Sequence, residues 1–395
     1  MKPVIIIPSY WSGDPASARH VEGYDHATPL DSPRPELDSC LASLEQVRHC
    51  PRIVVLAVCP LDATDEVAER VRSIAAAHPG LDVLVVTNRE APAIMDRVAR
   101  IAPKITGEAV SLRGYGAIRN MGLAVANILG HDAVVFLDDD ELVLSPDFMD
   151  KALYGIGSET RQSLPILAKS GYFYDRSGSP LASTAKEAGP TSRWWTKRIE
   201  FNRWMSRALA GTRISRSNYV CGGCLTIHAR AFRRIAFDPF ITRGEDLDYL
   251  FNMRLFGMDV WFDNVWAVKH LPPAVEEEWP RFMQDVYRWY YEREKLAEAS
   301  RRPDLSAVTP ASLMPYPGPW ISSGLDERVR KTAMARSLFT RERKGYRSVW
   351  RDGIADARSY ARRHRSSYLR FQSFWPAIMD GLWNDPDLIA VLERR

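Results

Sequence analysis

The first 140 residues constrain the fold more than any other part of the chain. They alternate short, wholly apolar runs with stripes of apolar residues at helical spacing. Val4, Ile5, Ile6 and Ile7 form the first run, which ends at Pro8. Residues 53–58 form the second, stopped by Pro60, and residues 83–86 the third. Residues 133–137 form the fourth, which runs into three aspartates. Between the runs, Leu37, Leu41, Leu44 and Arg48, then Val67, Val71 and Ile74, then Ile118, Met121, Val125 and Ile128 mark helices. A strand that is apolar at every position is buried on both faces. The pattern therefore predicts a doubly wound α/β layout, a mostly parallel sheet covered by helices on both sides. In such sheets ligands bind beyond the carboxyl ends of the strands, so the residues just after the apolar runs are the places to look.

Beyond residue 140 the pattern loosens. Residues 158–217 are irregular, with Arg193, Trp194 and Trp195 ahead of the mixed stretch 201–209. Residues 221–227 read as a strand, followed by a helix from about Ala229. Residues 245–256 read as a helix apolar nearly all round, hence buried. Residues 260–268 alternate as a strand does. Pro272 and Pro273 break the chain, and the expected domain boundary lies there. The chain is expected to divide into residues 1–140, residues 141–271, and a helical, basic extension over residues 272–395.

At 395 residues the chain can bury a large core. It has no run of 18 apolar residues, and its apolar start is too short for a signal peptide, so a cytoplasmic protein is expected. Five cysteines without regular spacing argue against a disulfide framework. Cys221 and Cys224 have redox-motif spacing, but buried free thiols are the simpler reading. The net charge of +4 conceals an asymmetry, because residues 328–370 hold 14 Lys/Arg against 3 Asp/Glu.

The chemistry concentrates in two acidic clusters. Asp138, Asp139 and Asp140 follow the fourth apolar run. Adjacent carboxylates repel one another, and a hard divalent ion such as Mn²⁺ or Mg²⁺ relieves that repulsion through oxygen ligands. Residues i and i+2 of an extended segment point the same way, so Asp138 and Asp140 can share one ion. A solvated acidic turn is the competing reading. The second cluster, Glu245, Asp246 and Asp248, opens the buried helix. Helix-start acids cap and complement the dipole, which explains one of the three better than all. A carboxylate at the mouth of a site can also act as a general base. His270 ends the last strand and is a candidate metal ligand.

The order of these motifs resembles the GT-A glycosyltransferases, family 2 in particular. The resemblance rests on Pro8-Ser9-Tyr10 after the first run, Arg119-Asn120-Met121-Gly122-Leu123, and Leu137-Asp138-Asp139-Asp140. Gly222-Gly223-Cys224-Leu225, Gly244-Glu245-Asp246-Leu247-Asp248 and Arg254-Leu255-Phe256-Gly257 resemble the acceptor half of such enzymes, including the Gly-Glu-Asp signature of galactosyltransferases. It covers about residues 1–271. It implies a GT-A fold, with a Rossmann-like nucleotide-binding half, and metal-dependent transfer from a nucleotide-diphosphate sugar to a saccharide or other hydroxyl acceptor. By the same resemblance, Pro8, Ser9 and Tyr10 line the nucleoside pocket. Arg119 and Asn120 face the donor, with Asp138 and Asp139 contacting it. Asp138, Asp140 and His270 hold Mn²⁺ or Mg²⁺. Asp246 is the general base with Glu245 beside it, and the outcome is inversion. Two departures stand out. Cys59-Pro60-Leu61-Asp62 replaces an acidic pair after the second strand, and residues 89–113 exceed the usual connection.

Two other functions share parts of this pattern. A sugar-nucleotide nucleotidyltransferase would carry a Gly-rich basic loop after its first strand, whereas residues 8–13 hold one glycine and no Lys or Arg lies between Pro8 and Arg19. A non-catalytic nucleotide-sugar or metal binder would not need Asp246. Arg193, Trp194 and Trp195 are candidate acceptor contacts, by stacking and ion pairing. The basic C-terminal segment can meet an anionic acceptor, rest peripherally on an anionic membrane, or join a homo-oligomer. No motif for nucleic-acid recognition accompanies it, and no nucleic-acid partner is expected.

Overall fold

A computed structural model of the protein describes residues 1–12, 27–105, 107–187, 189, 191–273 and 278–394. Gly13 and Arg19, which bear on the nucleotidyltransferase comparison, lie outside the described residues. The strands are β1 (Pro3–Ser12), β2 (Thr28–Pro29), β3 (Ile53–Val58), β4 (Val83–Val86), β5 (Ala133–Phe136), β6 (Glu141–Val143), β7 (Ala168–Tyr174), β8 (Ile214–Arg216), β9 (Leu225–His228) and β10 (Val260–His270). They form one sheet in the order β4-β3-β1-β5-β9-β7-β10-β6, with β2 on β1 and β8 on β10.

The amino-terminal half is wholly parallel, as the apolar runs require, with β1 between β3 and β5. Alternate side chains of β1 enter opposite cores. Val4 and Ile6 join one hydrophobic cluster, and Ile5 and Ile7 the other, all at 0% exposure. Each such side chain contributes about 1.5–3 kcal/mol relative to exposure, which is why every position of the run is apolar. The second half is mixed: β9 is antiparallel to β5 and β7, and β6 and β8 are antiparallel to β10.

Two expected boundaries shift. The strand read at 221–227 begins only at Leu225, because the residues before it turn sharply. The helix after it is the four-residue Ala229–Phe232. The buried helix Glu245–Leu255 and the strand β10 form where the pattern places them.

The carboxy-terminal helices pack back onto the sheet rather than away from it. Trp289, Trp375 and Leu382 belong to the same hydrophobic cluster as Val4 and Phe136. Asn127, from helix Tyr115–Ile128, donates to the carbonyl of Met379 at 2.6 Å. Trp375 Nε1 donates to the carbonyl of Phe232 at 2.7 Å. No helix among the described residues is long and apolar enough to cross a membrane.

Candidate active site

The carboxyl ends of β1 and β5 lie side by side in the parallel sheet and deliver the first group of polar residues. Trp11 Nε1 donates to Ser9 Oγ at 2.9 Å, and Ser9 Oγ donates to Asp139 Oδ2 at 2.6 Å. This relay fixes Asp139, which is 5% exposed. Asp138, Asp139 and Asp140 then line a cavity of about 440 Å³.

The register of β6 on β10 sets Glu141 opposite His270. His270 Nε2 consequently lies 3.2 Å from Asp140 Oδ2, and Leu271 N donates to the Asp140 carbonyl at 2.9 Å. Burial alone would depress the imidazole pKa. The hydrogen bond and charge of Asp140 outweigh that and raise it. Glu141 is 2% exposed, and burial beside Asp138 and Asp140 pushes its carboxyl well up.

Arg119 joins the two acidic clusters. It is carried on helix Tyr115–Ile128 and is 5% exposed. Its Nη2 donates to Asp138 Oδ1 at 2.8 Å and its Nε to Glu245 Oε1 at 3.2 Å. Burial opposes its charge, but Asp138 and Glu245 prevail and raise its pKa. Burial lifts Glu245, offset by Arg119 and reinforced by Asp246, so that its carboxyl is pushed up to about 7.

The second acidic cluster is presented by a specific backbone. Gly244 precedes helix Glu245–Leu255 at φ 71°, a left-handed conformation that favours glycine. Arg288 Nη2 donates to the Gly244 carbonyl at 3.1 Å. Asp246 turns into the cavity. Below, Asp248 faces Lys295 in a fully buried cluster with Asp238 and Glu292. Lys295 Nζ donates to Asp248, to Asp238 Oδ2 at 3.0 Å and to Asn252 Oδ1 at 3.1 Å. Glu292 Oε2 lies 3.5 Å from the ammonium. Burial raises Asp248 to about 8 and Asp238 to about 6.

The glycines of 222–223 have a packing reason. A Cβ at Gly223 would stand 1.9 Å from Glu141 Oε2. The flanking thiols of Cys221 and Cys224 are buried and their pKa values pushed well up by burial, so they stay protonated and unreactive.

The cavity gathers Tyr10, Arg119, Asp138, Asp139, Asp140, Glu245, Asp246 and His270. Other residues singled out in the sequence lie elsewhere. Pro8 is buried in β1, paired with Leu56 of β3. Asn120 is fully buried and binds backbone. It donates to the carbonyls of Ala109 and Phe237 at 3.0 Å each and accepts from Phe237 N at 2.8 Å. Trp195 packs edge-on against Phe282 at 4.8 Å and Trp320 at 4.5 Å. Trp194 lies under the guanidinium of Arg193 at 4.0 Å, and neither residue lines this cavity. Conversely Glu141, Tyr115, Tyr219, Arg243 and Arg281 line it without having been singled out. Glu141 and Arg243 directly adjoin motif residues, which was the available signal; the tyrosines carried none.

A divalent ion fits the chemistry of one part of this wall. Asp140 and His270 offer an oxygen and a nitrogen 3.2 Å apart. Among the described residues no three His, Cys, Asp or Glu side chains converge to hold a metal on their own. Further oxygens would come from a diphosphate, from water and from Asp138, now held by Arg119.

The two acidic groups line one cavity beyond the carboxyl ends of β1 and β5, where the family resemblance places the site of a GT-A glycosyltransferase. The chain matches the family described as "Glycosyltransferase like family 2" over residues 51–292, more than half its length, and belongs to that family. It is accordingly a sugar-transferring enzyme. The match ends inside helix Trp279–Ala299.

No curated protein matches the chain in sequence. Similar solved structures include the mannosyltransferase PcManGT from Pyrobaculum calidifontis in complex with GDP-Man and Mn²⁺. It has 13% identity and a TM-score of 0.46, over 95% of this chain and 86% of that one. GalNAc-T7 with UDP, GalNAc and Mn²⁺ has 14% identity and a TM-score of 0.42, over 77% and 52%. Glucosyl-3-phosphoglycerate synthase from Mycobacterium tuberculosis, with Mn²⁺ and UDP-Glc, has 12% identity and a TM-score of 0.34, over 70% and 72%.

Proposed function

We propose that this enzyme transfers a sugar from a nucleotide-diphosphate sugar to an acceptor hydroxyl with inversion, supported by Mn²⁺ or Mg²⁺. The observation that carries the reading is the cavity itself. Asp138 and Asp140 line one side, Asp246 lines the same space, and Arg119 ties the two groups together.

Each residue has a task in this reading. Ser9 holds Asp139, and Tyr10 lines the nucleoside end of the cavity. Asp140 and His270, with Asp138, would hold the ion, and the ion would supply charge neutralisation to the departing diphosphate. Asp246 accepts the proton of the acceptor hydroxyl. The hydroxyl oxygen bonds to the anomeric carbon as the bond from that carbon to the diphosphate breaks. The bonding pair leaves with the diphosphate. Arg119 fixes Asp138 and Glu245, so the donor and acceptor walls keep one relative position.

The five cysteines are free thiols, which suits the reducing cytoplasm where we place the protein. A peripheral contact with an anionic membrane is a second reading of the basic segment. It is favoured by exposed Leu338, Phe339 and Trp350 among the exposed cations Arg341, Arg343, Lys344, Arg347 and Arg351.

Incubation with a panel of nucleotide sugars, with Mn²⁺, Mg²⁺ or EDTA, tests the transfer reading. Release of a nucleoside diphosphate from one donor, abolished by EDTA and by Asp140→Ala, is expected. Absence of both release and metal-dependent donor binding by calorimetry across the panel would sink it.

A further inference from the structure

The helix that carries Asp246 starts without the usual support. Gly244 precedes it in a left-handed conformation and has no side chain with which to cap the first turn. Helix Trp279–Ala299 grips that turn at two points instead. Lys295 Nζ donates to Asp248, and Arg288 Nη2 donates to the Gly244 carbonyl at 3.1 Å. Arg288 and Lys295 stand two turns apart and so share one face of their helix. Asp246 lies midway between the two gripped residues.

Arg288 is buried and does not line the cavity, so it acts on the site through Gly244 rather than on a substrate. Its guanidinium lies against the bare face of that glycine. A Cβ at residue 244 would stand 2.1 Å from both Arg288 Cζ and Nη1. The same carbonyl accepts from Asp248 N at 3.1 Å, the first hydrogen bond of the helix. A cation beside a helix start opposes the helix dipole, and burial adds to that cost. Burial lowers the guanidinium pKa, but Tyr316, Asp246, Glu292 and Asp285 outweigh it and raise it. Arg288 is thus tied to Asp246 by charge as well as through the backbone. On the other side of Asp246 lies Gly222, where a Cβ would stand 3.4 Å from the Asp246 Cβ.

We propose that Arg288 is a positioning residue for transfer: by holding the Gly244 carbonyl it sets where the Asp246 carboxylate stands in the cavity. This rests on the transferase reading, with Asp246 as its base, and deepens it. A base displaced by about 1 Å from the acceptor hydroxyl slows turnover heavily. Donor binding, on the side of Asp140 and His270, is left as it was.

The test compares Arg288→Met, Arg288→Lys and Gly244→Ala in the full chain, with the donor from which the wild type releases nucleoside diphosphate. Arg288→Met should lower kcat about a hundredfold. Its KM for donor and its Mn²⁺-dependent affinity for nucleoside diphosphate should stay within about twofold of the wild type. Arg288→Lys keeps a donor for the carbonyl and should recover at least about tenfold of the loss. Gly244→Ala displaces the guanidinium and should reproduce the loss in kcat, which carries the comparison if Arg288→Met does not fold. Hydrogen exchange at residues 244–248 reads the same link without catalysis, and should quicken in Arg288→Met but not in Arg288→Lys. The proposal is overturned if folded Arg288→Met turns over as the wild type does, if donor affinity falls in step with kcat, or if Arg288→Lys recovers nothing. Failure of the transferase reading would appear separately, as a wild type that releases nucleoside diphosphate from no donor. Unchanged exchange in Arg288→Met would then overturn the hold itself.

Discussion

Arg119 Nη2 lies 2.8 Å from Asp138 Oδ1, and with its Nε 3.2 Å from Glu245 Oε1 the same guanidinium couples the end of β5 to the helix that presents Glu245 and Asp246. Removing the guanidinium leaves Glu245 buried without its cation and frees Asp138. Arg119→Met is expected to lose about 3 kcal/mol of stability, at the low end for a buried pair because Asp138 is 35% exposed. Turnover should fall at least about a hundredfold through misplacement. Denaturant melts and donor turnover check both, and a variant that melts like the wild type would remove Arg119 from this role.

Asp246→Asn should keep the metal-dependent affinity for donor and lose turnover by about 10²–10⁴-fold, the range for a lost general base. Calorimetry and initial rates on the same preparation separate the two effects. Near-normal turnover would end the assignment.

In the proposed reaction His270 would tie pH to metal support. A protonated imidazole cannot ligate an ion, and contact with Asp140 raises its pKa above the ordinary 6.5. Mn²⁺-dependent binding of nucleoside diphosphate should therefore weaken as pH falls through neutrality. In His270→Ala the affinity should be lower throughout and this slope should vanish. A slope unchanged in the variant would place the titrating group elsewhere.

The buried acids predict the opposite trend for stability. Asp238 and Asp248 are raised from 3.8 to about 6 and about 8, so between those limits the folded state binds protons that the unfolded state has released. Their contribution is neutral below the unfolded value and turns unfavourable as pH rises toward the folded one. The melting temperature should decline between about pH 5 and 8, and Asp248→Asn should flatten that decline. An equal decline in both proteins would count against it.

At Gly223 the wall admits no side chain. Gly223→Ala sets a methyl against the buried Glu141 carboxyl and should destabilise by about 1–3 kcal/mol, the cost of overpacking. A calorimetric melt measures it, and a neutral outcome would mean that Glu141 swings aside.

Much of the amino-terminal half was legible because its physics is local. A strand such as β1, covered on both faces, must be apolar throughout, and the acidic triplet stands out immediately after β5. The acidic start of helix Glu245–Leu255 was equally visible. Asn120 shows where this reading runs out. Its neighbour Arg119 points into the cavity, while one position further round the helix the amide binds the backbone of Phe237, 117 residues away. Trp195 was read as a candidate acceptor contact but packs into the core against Trp320, a partner that periodicity does not identify. The hold of Arg288 on Gly244 was equally hidden, because the two residues come from separate segments joined only by folding.

Lys295 gives the carboxy-terminal helices a meaning beyond cover. The ammonium that neutralises Asp248 comes from helix Trp279–Ala299, three residues after the family match ends at 292. The smallest portable unit of this enzyme is consequently larger than its recognisable motifs. A chimera grafted at the motif boundary would inherit Asp248 without its counter-ion, and exchange between relatives is workable only if helix Glu245–Leu255 and its lysine travel together.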